Sequence, residues 1–260
     1  MPWTFAHPAA ILPLRRLCPR WLSLPGLVLG AMAPDLSYYV GMHGAWSAYC
    51  HTLPGVLLAC LPVCLLMLAL LQRFARPLTV LLPEPHRSLV REQLQPPARA
   101  LWLGVAVAVL SILLGAATHV LWDSFTHQGR WGAELLPELD EPLPGATQAQ
   151  VHLTHLLQHL SSLVGATALV IAYRRTLRRR PPAPAAHEGA KADSRRARLL
   201  LVTLALAAAV GATFAYVLTP PTLPGYTAHL VVRTVVWSSS CFATLFILAS
   251  LAWWRRHGER

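Results

Sequence analysis

Five stretches of this chain, about 53–72, 98–121, 153–173, 198–218 and 229–252, are apolar for their whole length. Runs of roughly 18 or more apolar residues read as helices that cross a bilayer. Composition agrees: mean hydropathy is +0.46, and only 13% of the residues are charged, about half the share in a soluble domain. The expected fold class is all-α: a polytopic membrane helical bundle of about five transmembrane helices with an N-terminal re-entrant or interfacial helical pair. The segment 22–40 is apolar but broken by Pro25, Pro34 and Asp35, and reads as a short helix plus a re-entrant or interfacial piece. One membrane domain covers 1–260. Within it, 1–52 carries site residues, 53–173 holds helices 1–3, 174–197 is a disordered basic linker, and 198–254 holds helices 4 and 5.

The formal net charge is +11, but its placement argues against a nucleic-acid partner. Five Arg against two Glu fall between Arg73 and Arg99, and nine Lys/Arg against two acids fall in 174–198. Arg255, Arg256 and Arg260 follow the last run. The 124–151 loop has Arg130 against Glu134, Glu138, Asp140 and Glu141. The Lys/Arg bias puts the basic loops in the cytoplasm, so helix 1 runs inward and helix 5 ends inside. Arg15, Arg16 and Arg20 go against this, lying outside or in the interface. The Pro/Ala-rich basic linker is explained by attraction to anionic lipid. The N-terminus lacks a basic region ahead of an apolar one and does not read as a secretory signal. The five cysteines form no C-x-x-C pair, so no disulfide framework is implied.

On this topology the titratable groups gather on one side. His51 precedes helix 1. His119 and Asp123 lie at the outer end of helix 2, and His127 follows. His152, His155 and His159 open helix 3, and His229 opens helix 5 with Arg233 one turn deeper. Asp35 lies in the segment leading to His51. Ionisable groups within spanning helices are costly and mark function by default. His nitrogen and carboxylate oxygen are the usual ligands of zinc and similar ions.

His119 and Asp123, spaced i, i+4, share one helix face and can grip one ion; the bland reading is a His–Asp hydrogen bond capping the bundle. Asp35 after Pro34 also suits a turn or helix cap. His51 also suits an ordinary interfacial histidine. His7 falls near the start of a helix opened by Pro8. His155 and His159 are a second i, i+4 pair, although several His also suit an interfacial helix. Arg233 could hold a substrate phosphate through its planar fork or simply snorkel to the surface.

The segments MPWTFAHPAAILPLRR, GAMAPDLSYYV, CHTLPG and GAATHVLWDSFTH resemble bacterial membrane proteins of the domain of unknown function 4184 family. That family is similar to predicted membrane-bound metal-dependent hydrolases, with an N-terminal His, a P-D element, a later His and an H-x-x-x-D helix. More distantly, the ligand order resembles zinc-dependent phospholipase C and the fungal zinc nucleases. That resemblance implies His7, Asp35, His51, His119 with Asp123, His127, then His155 with His159 as metal ligands. The last position is an acid in those enzymes and His159 here. They also ligate zinc through a processed amino terminus, whereas this chain is read from Met1. One or two ions are therefore expected.

The resulting expectation is a metal-dependent hydrolase in a bacterial inner membrane, with its site on the extracytoplasmic side. It would cleave a phosphoester, with a lipid head group as the candidate substrate. Asp35, His51, His119 and Asp123 would hold the first ion, and His7, His127 and His155 would complete a second. Zinc is expected, with manganese or iron as alternatives. Asp35 or Asp123 would act as the catalytic base, and Arg233 would bind substrate. A divalent-metal or proton transporter would use the same ligands transiently, but the inner halves of the helices (VAVAVLS, ATALVIAY) lack a polar path. A di-iron oxygenase would repeat its histidine clusters. A structural membrane protein leaves the one-sided clustering unexplained.

Overall fold

The computed structural model of the chain describes residues 3–17, 21–95, 100–141, 152–180, 187–223 and 225–258. These residues are almost wholly helical, with no strand among them. Five helices are long and apolar enough to cross a membrane: Leu53–Arg73, Leu101–Thr126, Leu153–Arg178, Asp193–Leu218 and Tyr226–His257. They coincide with the five apolar runs. Large side chains such as Leu58, Leu66, Leu101 and Val164 are exposed on them, as a lipid-facing surface requires.

The chain divides into two compact units: 1–37, 43–68 and 97–180 form the first, and 38–42, 69–96 and 181–260 the second. The first is organised around the second span. Its buried residues Val107, Ser111, Gly115, His119 and Asp123 recur every four positions, with Ile112 and Ala116 beside them. That spacing makes one stripe along the helix. Against it lies the short helix Leu24–Met32, which starts at Ser23, whose hydroxyl accepts from the Gly26 N–H. Ser23 N–H donates to Ser111 Oγ at 2.8 Å, and Ala31 O meets His119 Nδ1 at 2.8 Å. Both pairs have the same offset, so the two helices run parallel and in register. Gly30 and Gly115 let the backbones touch: an added Cβ would lie 2.1 Å from Ile112 O and 2.3 Å from Leu27 O respectively.

This packing sets the nine-residue helix Leu24–Met32 beside the middle of the second span, from Ala108 to His119. A 3₁₀ turn, Ala33–Asp35, then delivers Asp35. The N-terminal 3₁₀ helix Thr4–Ile11 packs on the third span, where Ala6 sits against Gly165 and the Trp3 N–H donates to Ser162 Oγ at 3.0 Å. The helix Ala45–Cys50 ends at His51. The first span opens on Thr52, whose hydroxyl accepts from the Gly55 N–H. A π turn, Val56–Cys60, interrupts it just ahead of Pro62. Proline brings no N–H to the helical ladder, and the wider turn absorbs that break.

In the second unit the fourth and fifth spans pair closely. A Cβ on Gly211 would sit 2.3 Å from Ser238 N. Arg87, on the helix His86–Leu94, binds Glu84 at 2.8 Å and Asp193 at 3.2 Å. Part of the expected disordered linker, 181–186, lies outside the described residues. From His187 the chain is already helical and runs unbroken into the fourth span. The sequence AKADSRRARLL explains this, because Ala, Lys, Arg and Leu are strong helix formers.

Candidate metal centre

Three elements of the first unit converge on one buried group of four residues. Asp35 comes from the 3₁₀ turn, His51 from the end of a short helix, and His119 and Asp123 from successive turns of the second span. They are 2%, 7%, 0% and 4% exposed. One ligand atom from each lies within 4.8 Å of all the others. His51 Nε2 is 3.5 Å from Asp35 Oδ1 and 3.4 Å from Asp123 Oδ2. His119 Nε2 is 3.7 Å and 3.4 Å from the same two atoms.

These distances exceed the roughly 2.7–2.9 Å of a charge-assisted hydrogen bond. They lie close to the edge of a ligand tetrahedron, about 3.3–3.4 Å for metal–ligand bonds of about 2.0–2.1 Å. The histidines are also oriented for ligation. Each Nδ1 lies 2.8 Å from a backbone carbonyl, Ser47 O for His51 and Ala31 O for His119. A carbonyl only accepts, so each Nδ1 carries the hydrogen. Nε2 is thereby turned toward the carboxylates, the outer arrangement typical of metal-binding histidines. His119 Nε2 is buried without a hydrogen-bond partner among the described residues. The residues thus form a buried Asp/His/His/Asp group that could hold a metal ion.

Asp35 is fixed from behind: Thr4 Oγ1 donates to its Oδ2 at 2.7 Å, leaving Oδ1 toward the histidines. Sequence reading missed Thr4. No local pattern marked it, because its partner Asp35 lies 31 positions away. His7 stacks on His119, with ring centroids 3.8 Å apart. Its Nε2 lies 3.6 Å from Asp123 Oδ1, and neither buried atom has a hydrogen-bond partner among the described residues. His127 Nδ1 is also 3.6 Å from Asp123 Oδ1, and 3.2 Å from the Asp123 carbonyl. Asp123 therefore presents one oxygen to the group of four and the other to His7 and His127.

The electrostatics favour a cation. Burial opposes a charged ring on His51, yet the Asp123 and Asp35 carboxylates outweigh it and raise His51 to about 9. Burial likewise opposes ionisation of Asp35, but His119, His51 and Thr4 hold its carboxyl below the usual range. His7 goes the other way: burial and the adjacent His119 push it down to about 4. The pull that draws a proton to His51 would act equally on a metal cation.

The other candidates are placed elsewhere. His152 and His155 form a capping box at the start of the third span, with His152 N–H donating to His155 Nδ1 at 3.3 Å. His159, one turn on, is exposed. Neither joins the group of four. Arg233 belongs to the second unit, where Nη1 donates to the Leu218 carbonyl and caps the fourth span. Gln158, between the histidines, ties the third span to the second through Thr126 O at 2.6 Å.

Residues 1–252 match the family model described as Domain of unknown function (DUF4184). No curated protein and no solved structure matches the chain. The match bears out the resemblance carried by the four quoted motifs. The likeness to zinc phospholipase C rests on ligand order alone.

Proposed function

The chain belongs to the DUF4184 family, and from its buried centre we propose that it is a membrane-embedded, metal-dependent hydrolase of a phosphoester. The observation that carries this reading is the spacing of the four ligand atoms, 3.4 to 3.7 Å around the ring, with both imidazoles tethered at Nδ1. Two nitrogens and two carboxylate oxygens suit zinc best; manganese and iron accept the same donors. His7 and His127 flank the second oxygen of Asp123 and, with it, would be the donors to a second ion. His155 stands apart from that set in its capping role.

When bound, a divalent ion supplies Lewis acidity, which acidifies water and stabilises charge on phosphoryl oxygens. The protein's own groups divide the remaining work. Asp35 is committed to Thr4 through Oδ2 and serves as an oriented ligand. With one ion held by the group of four, Asp123 Oδ1 has no donor among the described residues and faces the two outer histidines, so Asp123 would be the proton acceptor for the attacking water. His119 lies about 10 Å from the end of its helix at about 1.5 Å per residue, a depth that suits a substrate entering from the head-group layer. The ester of a phospholipid head group is the substrate class this favours. Arg233, as a substrate-binding residue, would have to leave its cap on Leu218.

The test is hydrolysis of dioctanoyl phospholipids and of bis(p-nitrophenyl) phosphate by the detergent-purified chain. Zinc-dependent turnover that a chelator abolishes is expected, with Asp123→Asn losing about 10²–10⁴-fold. Turnover indifferent to both chelator and Asp123→Asn contradicts the proposal.

A further inference from the structure

The second unit contains a cavity that the metal centre does not use. Its volume is about 570 Å³, within the range of about 300–1,000 Å³ for small-molecule sites. Arg73, Arg76 and Arg91 line it, Phe74 and Trp254 add aromatic walls, and no carboxylate is among the described lining residues. Arg73 closes the first span and Trp254 lies near the end of the fifth. The cavity therefore sits where apolar helix gives way to basic chain, the level of lipid head groups.

Two of the arginines are held in place. Arg91 Nε donates to Thr79 Oγ1 at 2.8 Å and its Nη2 to the Arg76 carbonyl at 3.1 Å. The Arg73 guanidinium lies 5.4 Å from the centroid of the Phe74 ring. Three guanidiniums around one cavity concentrate positive potential, and their planar forks match phosphate oxygens. The aromatic walls suit the glycerol and upper acyl carbons of a lipid, and tryptophan is favoured at this depth. We propose that this cavity binds the phosphate of an anionic phospholipid head group. The ligand chemistry is a phosphate anion, and the apolar walls assign its source to lipid rather than to free phosphate. This site stands independently of the hydrolase reading.

The experiment is calorimetric titration of the full chain in detergent with three probes: dioctanoyl phosphatidylglycerol, dioctanoyl phosphatidylcholine and inorganic phosphate. Phosphatidylglycerol binds at least about ten-fold more tightly than the other two. The variant Arg73→Gln/Arg76→Gln weakens it by about ten-fold or more. Arg255→Gln/Arg256→Gln removes the same charge outside the lining and leaves affinity within about two-fold. Equal affinity for the two lipids in the wild type overturns the site without recourse to any variant. Equal loss in both double variants reduces it to general surface charge and overturns it too. Inorganic phosphate binding as tightly as phosphatidylglycerol overturns the assignment to lipid.

Discussion

At the scale of single residues, the centre is built by groups that only the fold brings together. The i, i+4 spacing made His119 and Asp123 legible as a pair, and Pro34–Asp35 and His51 were legible as residue types suited to ligation. Thr4 was not, because its partner Asp35 is far along the chain. Nor was the role of His155: clustered histidines look alike whether they bind a metal or cap a helix, and here His152 and His155 satisfy each other's backbone. Removing the Thr4 hydroxyl should leave the fold intact but release Asp35. Thr4→Val is expected to weaken zinc binding by about 10–100-fold, and Thr4→Ser to restore it. Competition with a chelating dye measures both. The same assay carries a pH test. Ligation requires His51 and His119 without a proton on Nε2, so protons compete with the ion. Affinity should fall steadily as pH is lowered from 8 to 6; a flat profile would exclude imidazole ligation.

At the scale of helices, the five apolar runs announced the spans, because length and hydropathy suffice for that. The short helix Leu24–Met32 was legible only as a broken apolar segment. Its parallel packing depends on Gly30 and Gly115, whose importance comes from a partner backbone that no local pattern reveals. The π turn at Val56–Cys60 was equally silent, although Pro62 marks its cause. Gly115→Ala places a methyl 2.3 Å from Leu27 O. It should cost about 1–3 kcal/mol by overpacking and push Asp35 away from His119, lowering both thermal stability and zinc affinity. Gly104 is on the same helix, and an added Cβ there meets nothing within 4 Å. Gly104→Ala should be neutral or stabilising by under about 1 kcal/mol. Equal behaviour of the two variants in thermal melts and zinc titration would show that the close helix contact is unimportant.

At the scale of the whole molecule, five spans and the Lys/Arg distribution predict which ends face the cytoplasm. A fluorescent reporter fused after Arg260 should mature inside the cell, and an alkaline phosphatase reporter at Glu138 should be active outside it. The reverse pattern would place the metal centre on the cytoplasmic side. The central claim, however, is that Asp35, His51, His119 and Asp123 hold an ion together. Elemental analysis of the detergent-purified chain tests it most directly, with wild type beside His51→Gln, Asp123→Asn and His159→Gln. The account predicts about one or two equivalents of zinc, manganese or iron in the wild type. Metal should be lost in His51→Gln and Asp123→Asn and kept in His159→Gln. A wild-type protein that stays metal-free after incubation with all three ions, or an Asp123→Asn variant that keeps its metal, would contradict it.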